Sequence, residues 1–222
     1  MVRKQITLVE LYNILYDHLD STGWWPARTD WQIVWGAVLI QNTNWKNVDY
    51  ALAALQQATD FLPANIRQLS NSELEQIIHS AGFYVRKAQT IKNLCHYFDT
   101  YHDDLAQLRT LPASRIRQEL LALSGIGRET ADTIMLYVLS KDTFIVDAYA
   151  RRLFQHLEVK LPKTYDGAQK LIMPELVPLT LRGFQELHAC IVLTGQAIKT
   201  EQDWQNSFLA PYQLHLAPRK GE

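Results

Sequence analysis

Asp147 stands alone inside an apolar run, TFIVDAYA (143–150), downstream of the glycine-x-glycine turn Gly125-Ile126-Gly127. Two chemistries fit a carboxylate there. As an N-cap it accepts hydrogen bonds from the first amides of the helix that begins at Ala148. Held at a helix start among apolar neighbours, it is also fixed in position and little contested by water, as a group that stabilises a cation or orients a water must be. The two roles are compatible. Gly125 and Gly127 put bare backbone between two helical patterns, and the first amides of the second helix point outward. A phosphate suits that surface, and a plain tight turn between helices accounts for the same residues. A third group is aromatic: Trp24 and Trp25 before Pro26, with Trp45 further on. Their faces are flat and electron-rich, which favours a stacked cation by about 0.5–2 kcal/mol. Core packing is the alternative use of tryptophan, and it fits Trp31 and Trp35, four apart on one helical face.

The elements that must position these residues are helical. Apolar residues recur at spacings of three and four, as in Leu8, Leu11, Leu15 and again Trp31, Val34, Trp35, Val38. Turn and cap residues break the pattern into about ten helices, one ending near Leu123 and the next starting near Arg128. No low-complexity tract or long linker intervenes.

Composition narrows the class. The chain has 222 residues, 47% hydrophobic and 20% charged, enough to bury a sizeable core. No run reaches the 18 or so apolar residues of a membrane span, and acids interrupt the first twenty residues where a signal peptide would be uninterrupted. The expectation is a soluble, cytoplasmic monomer with no membrane partner. A net charge of −1 lends no support to nucleic-acid binding, so any contact with DNA rests on local geometry. Cys95 and Cys190, the two cysteines, match no metal-ligand spacing, and the metal expectation is none. His188 and Cys190, two apart on a helical pattern, point in different directions and read as core residues rather than a nucleophilic pair.

Together, Leu123–Phe154 resembles the helix-hairpin-helix motif and downstream aspartate of the endonuclease III superfamily of DNA glycosylases. AVLIQNTNWKNV (37–48) is similar to the family's segment that enters DNA at the lesion, and AGFYVRKAQTI (81–91) to its second loop near the duplex. The resemblance implies an all-α, two-lobed helix-hairpin-helix fold with a lesion cleft between the lobes. One lobe would span 30–133, and the other 1–29 plus 134–222. It also implies a partner, double-stranded DNA containing a damaged base.

Within the family, members that cut the backbone carry a lysine where this chain has Glu129, and a carboxylate forms no Schiff base. A monofunctional glycosylase is implied. Glu129 also suits the first turn of a helix by its charge. The resemblance is nearest to the methylpurine branch that lacks an iron–sulfur cluster, through GWWPART (23–29) and QNTNW (41–45). No cofactor is then expected, although an alkali ion at the hairpin is compatible with it. The implied roles are Asp147 beside the sugar, and Trp24, Trp25, Pro26 and Trp45 around the extruded base. Gln41 with Asn42 would lie at the vacated gap, Gly125, Ile126, Gly127 and Arg128 on a phosphate, and Lys87 and Arg152 as electrostatic helpers. Gln41 equally fits a helix-end cap or a surface amide, and Arg151 and Arg152 a solvated face. The competing readings are a bifunctional glycosylase/lyase for oxidised pyrimidines and a non-catalytic module that only holds phosphates.

Overall fold

The computed structural model describes residues 3–25 and 27–216, so Pro26 lies outside the described residues. Thirteen α-helices and two short strands occur among them. The chain divides into two compact units, Pro26–Lys141 and Met1–Trp25 with Asp142–Glu222. The boundaries expected at 29/30 and 133/134 move because Thr29 caps the helix that follows it, and because 133/134 would cut a helix that runs to Tyr137.

The continuous unit, Pro26–Lys141, holds α2 (Asp30–Leu39), α3 (Trp45–Thr59), α4 (Pro63–Gln68), α5 (Asn71–Ile77), α6 (Tyr84–Asp99), α7 (Leu105–Thr110), α8 (Ala113–Leu121) and α9 (Arg128–Tyr137). Thr29, Asn44, Ser70 and Asp104 cap four of them through side-chain oxygens. Helix α6 packs against α2, α4 and α5. Its face Ala88, Ile91, Leu94, Cys95 and Phe98 is buried at helical spacing. Two lysines on α6 are buried as well. The Lys87 ammonium donates to the carbonyls of Leu39, at the end of α2, and Ala81, at 2.9 and 2.8 Å. Lys92 donates to Ile66 at 2.8 Å, and to Arg67 and Leu69, at the end of α4. Carbonyls at the close of a helix lack intrahelical partners, and a cation is the donor that suits them. Trp35 is fully buried, its indole N–H donating to Phe61 O at 2.8 Å, and Trp31 stacks on it at 6.0 Å. That bears out the core assignment of Trp35, while Trp31 packs over it part-exposed.

The terminal unit holds α1 (Leu8–His18), α10 (Ala148–His156), α11 (Tyr165–Ile172), α12 (Leu181–Ala197) and α13 (Glu201–Gln205). Strands β1 (Lys4–Ile6) and β2 (Tyr212–Leu214) pair in parallel, Lys4 opposite Tyr212 and Ile6 opposite Leu214, which ties the two ends of this unit together. Helix α12 packs against α1 and α10. The approach to α10 is close: a Cβ on Gly195 would lie 2.3 Å from the Tyr149 ring, so glycine lets the two helices meet there. No helix of the described residues is long and apolar enough to cross a membrane.

Burial leaves an alkaline signature. It pushes the Cys95 thiol up to about 12 and raises the phenols of Tyr12 and Tyr97, which Glu186 and Glu119 raise further. A raised folded-state pKa contributes stability that is complete below the unfolded value and is lost as pH climbs through the folded one. Lys87 and Lys92, lowered by burial, act in the opposite direction. Comparison with Cys95→Ala isolates the thiol. Because only the wild type loses this contribution, the gap between their urea midpoints should narrow from about pH 8 to pH 10.5. A constant gap contradicts the assignment.

Candidate functional site

The hairpin is built by α8 and α9 of the continuous unit. Arg117 on α8 and Asp132 on α9 form an ion pair at 2.8 Å, with a second contact at 3.3 Å, and the Asp132 side chain has no exposed surface. A charge so placed requires its partner, so the pair fixes how the two helices meet. Between them Gly125 has φ +91°, and a Cβ there would sit 1.9 Å from Thr90 Oγ1 of α6. Glycine is needed twice over, for the dihedral and for the space. Ile126 is buried, 6% exposed, and anchors the turn. Gly127 differs from Gly125. Its φ is −88°, a Cβ there would meet nothing within 4 Å, and it starts α9 without a side-chain cap. Gly125, Gly127, Arg128 and Glu129 are exposed.

Gln41 reaches this hairpin. Its amide nitrogen donates to Thr130 Oγ1 at 2.9 Å and to Gly125 O at 3.3 Å. It follows the end of α2, and exposed Asn42 takes a left-handed φ of 53°. The segment expected at the lesion gap is thus latched to the turn expected to hold phosphate. Breaking these bonds costs on the order of 1 kcal/mol each.

Two expected electrostatic helpers are placed otherwise. Lys87 is 3% exposed with its ammonium on two main-chain carbonyls, and burial lowers its pKa, so it is no surface cation. A period of three and four marks which face is buried but not whether a lysine on it serves the backbone. Among the exposed residues of that segment Phe83, at 63%, and Val85, at 55%, are apolar, while Arg86 and Gln89 are polar. Arg152, in the terminal unit, donates to Gly195 O and lies over the Tyr149 ring at 5.3 Å. Its guanidinium braces α10 against α12. Arg151 likewise donates to Pro162 O at 2.9 Å and Lys163 O at 3.2 Å.

Asp147, in the terminal unit, is the N-cap of α10. Its Oδ1 accepts the Ala150 amide at 2.7 Å, and the residue is 8% exposed. Its Oδ2 lies 3.5 Å from Nε2 of His188 on α12. The His188 ring meets Trp24 edge-on at 5.3 Å, and Trp24 meets Trp25 edge-on at 5.5 Å. Trp24 and Trp25 are part-exposed. The Trp24 indole, with Trp25 against it, and a fixed carboxylate therefore flank one imidazole, an arrangement suited to a flat cationic group beside an anion. Trp45 begins α3 in the continuous unit, also part-exposed. His188 is buried, 7% exposed, as its helical pattern implies, but the pattern gave no sign that it faces Asp147. Burial raises the Cys190 thiol, the wrong direction for a nucleophile.

Residues 35–177 match the family model described as HhH-GPD superfamily base excision DNA repair protein. Over 187 residues the chain is 37% identical to "Putative DNA repair glycosylase MJ1434" of Methanocaldococcus jannaschii, covering 83% of this chain and 85% of that one. Among solved structures, H. pylori 3-methyladenine DNA glycosylase (MagIII) bound to 1,N6-ethenoadenine aligns with TM-score 0.68 and 21% identity, over 88% of this chain and 100% of the other. A trapped endonuclease III–DNA covalent intermediate aligns with TM-score 0.67 and 21% identity, over 88% and 90%. At these identities the solved structures share a fold with this chain.

The two glycines respond oppositely to a methyl group. Gly125→Ala should destabilise by roughly 1–3 kcal/mol, from the strained dihedral and the collision with Thr90. Gly127→Ala should unfold with the wild-type urea midpoint yet weaken binding to a duplex, because its Cβ projects into open space that a phosphate approaching the main chain would need. Equal midpoints for the two variants would contradict this account of the turn.

Proposed function

Because this chain belongs to the HhH-GPD superfamily of base excision DNA repair proteins, we propose that it is a monofunctional DNA glycosylase that releases alkylated purines such as 3-methyladenine. The observation that carries the reading is Asp147: a carboxylate 8% exposed, held by the Ala150 amide on Oδ1, in one unit with Trp24 and Trp25. Hydrolysis of the glycosidic bond leaves the electron pair with the base nitrogen and builds positive charge on the deoxyribose. Asp147 stabilises that charge, while water supplies the new C1′–O bond and releases its proton. A purine methylated at N3 already carries positive charge, so it leaves without protonation by the protein. The same charge favours stacking on Trp24 and Trp25.

DNA is held in this proposal through the main chain of Gly125, Ile126 and Gly127, with Arg128 exposed beside them. A duplex substrate requires extrusion of the damaged base at a cost of a few kcal/mol, and Gln41 with Asn42 fills the gap after Gln41 leaves Thr130 and Gly125. No iron–sulfur cluster enters, since the chain has two cysteines and both are buried free thiols. The lyase reading needs an amine nucleophile. Helix α9 carries Glu129 and no lysine, and Lys87 and Lys92 are committed to main-chain carbonyls. Holding phosphates requires neither Asp147 nor the Trp24–Trp25 pair.

Asp147→Asn keeps an oxygen for the Ala150 amide and a residue type that caps helices well, so the fold should survive. Purine release from duplex DNA methylated with dimethyl sulfate should fall roughly 10²- to 10³-fold or more, with binding to an abasic-site duplex retained. Release at the wild-type rate rejects the role of Asp147. Borohydride should trap no covalent adduct, and a trapped adduct would favour the lyase instead.

A further inference from the structure

Asp147 has two oxygens, and the start of α10 accounts for one of them. We infer that His188 is a positioning residue for Asp147, its Nε2 donating to Oδ2 and so fixing the plane of the carboxylate that faces the deoxyribose. The inference rests on the proposed glycosylase reading and adds to it a residue that sequence spacing assigned only to the core.

The geometry that points to it comes from three separate elements. Nε2 of His188, on α12, lies 3.5 Å from Oδ2, with the two side chains 8% and 10% exposed. That distance is ion-pair range and the outer edge of hydrogen bonding, so a small shift on substrate binding closes it. The Ala150 amide, from α10 itself, holds Oδ1 at 2.7 Å. The Trp24 indole, from the segment after α1, meets the imidazole edge-on at 5.3 Å and limits its rotation. A carboxylate held through one oxygen can still turn about that bond. Held through both, from two helices, it presents a fixed lone-pair direction to the anomeric carbon, as preorganised electrostatic catalysis demands. The side of the imidazole that meets Trp24 also couples the aromatic pair to the carboxylate, so a base stacked on the indoles and a charge on its sugar are registered by one ring. Helix α12 is itself fixed here: Gly195 meets Tyr149 of α10, and Arg152 donates to Gly195 O. The donor therefore belongs to a braced part of the unit rather than to a loop.

His188→Gln and His188→Leu separate donation from packing. Glutamine places an N–H near the position of Nε2, and leucine fills space without a donor. Single-turnover purine release from dimethyl-sulfate-methylated duplex should fall roughly 10- to 100-fold in His188→Leu, as expected for a displaced catalytic group, and recover most of that loss in His188→Gln. The Kd for an abasic-site duplex should change little in either. In the Asp147→Asn background, His188→Leu should cause no further loss. Equal rates for the glutamine and leucine variants, whether both high or both low, overturn the inference. A second readout does not depend on turnover: crystal structures of wild type and His188→Gln should show the Asp147 carboxylate in one plane, and His188→Leu should show it turned about its Oδ1 contact or spread over several orientations. The same carboxylate plane in all three also overturns it, and should leucine not fold, His188→Met takes its place in both measurements. If the wild type releases no purine while the carboxylate plane separates the variants as stated, the glycosylase reading fails and the His188–Asp147 coupling stands.

Discussion

Every helix end leaves main-chain groups that the helix cannot satisfy, and in a protein made almost wholly of helices that constraint decides where polar side chains go. Thr7, Thr29, Asn44, Ser70, Asp104, Thr164, Thr180 and Thr200 each close an N-terminus by accepting an amide. Asp147 obeys the same rule at α10 and differs in burial, since the other caps are exposed. An ionised carboxylate with so little water around it needs donors in place, and the helix start is one. The capping role and the proposed chemical role are therefore one physical arrangement seen from two sides. The opposite ends follow the inverse rule, where Lys87 and Lys92 direct their charge to the closing carbonyls of α2 and α4.

Helix α9 departs from this pattern. It opens on Gly127 with no side-chain cap, next to Gly125 pressed against Thr90, and its pairing with α8 is locked by Arg117 and Asp132. Main chain displayed on a braced turn is preorganised for an anion: the supporting residues are buried and the displayed ones are exposed. On the proposed reading a net charge of −1 is no obstacle, since contact through amides and helix dipoles does not require a surplus of lysine and arginine. Arg151 and Arg152, which a count of charges would offer to DNA, are engaged with carbonyls of their own unit.

The same constraint discriminates among chemistries. The buried thiols of Cys95 and Cys190 are raised by desolvation, which makes them inert rather than nucleophilic. The buried lysines are donors to carbonyls. What remains of the groups discussed, in one unit, is a carboxylate, an imidazole and two indoles, a set that stabilises positive charge.

Much of this was legible in the chain itself. Helical spacing gave the all-α class, and Gly125, Gly127 and Asp147 carried the hairpin and the cap, because backbone freedom and capping are local properties of residue type. Short helices such as α4, α7 and α13 were not separable by period, being only 6, 6 and 5 residues long, and a three-residue parallel strand pair between distant segments leaves no local trace. Lys87 was misread for a related reason: a lysine on an amphipathic helix looks the same in sequence whether it meets phosphate or a carbonyl 48 positions away. His188 beside Asp147 is a contact between two helices. Sequence determined which residues could carry charge, cap a helix or bend the chain; tertiary packing alone decided which of them met, because those meetings join segments far apart along the chain and are set by the shapes of buried faces.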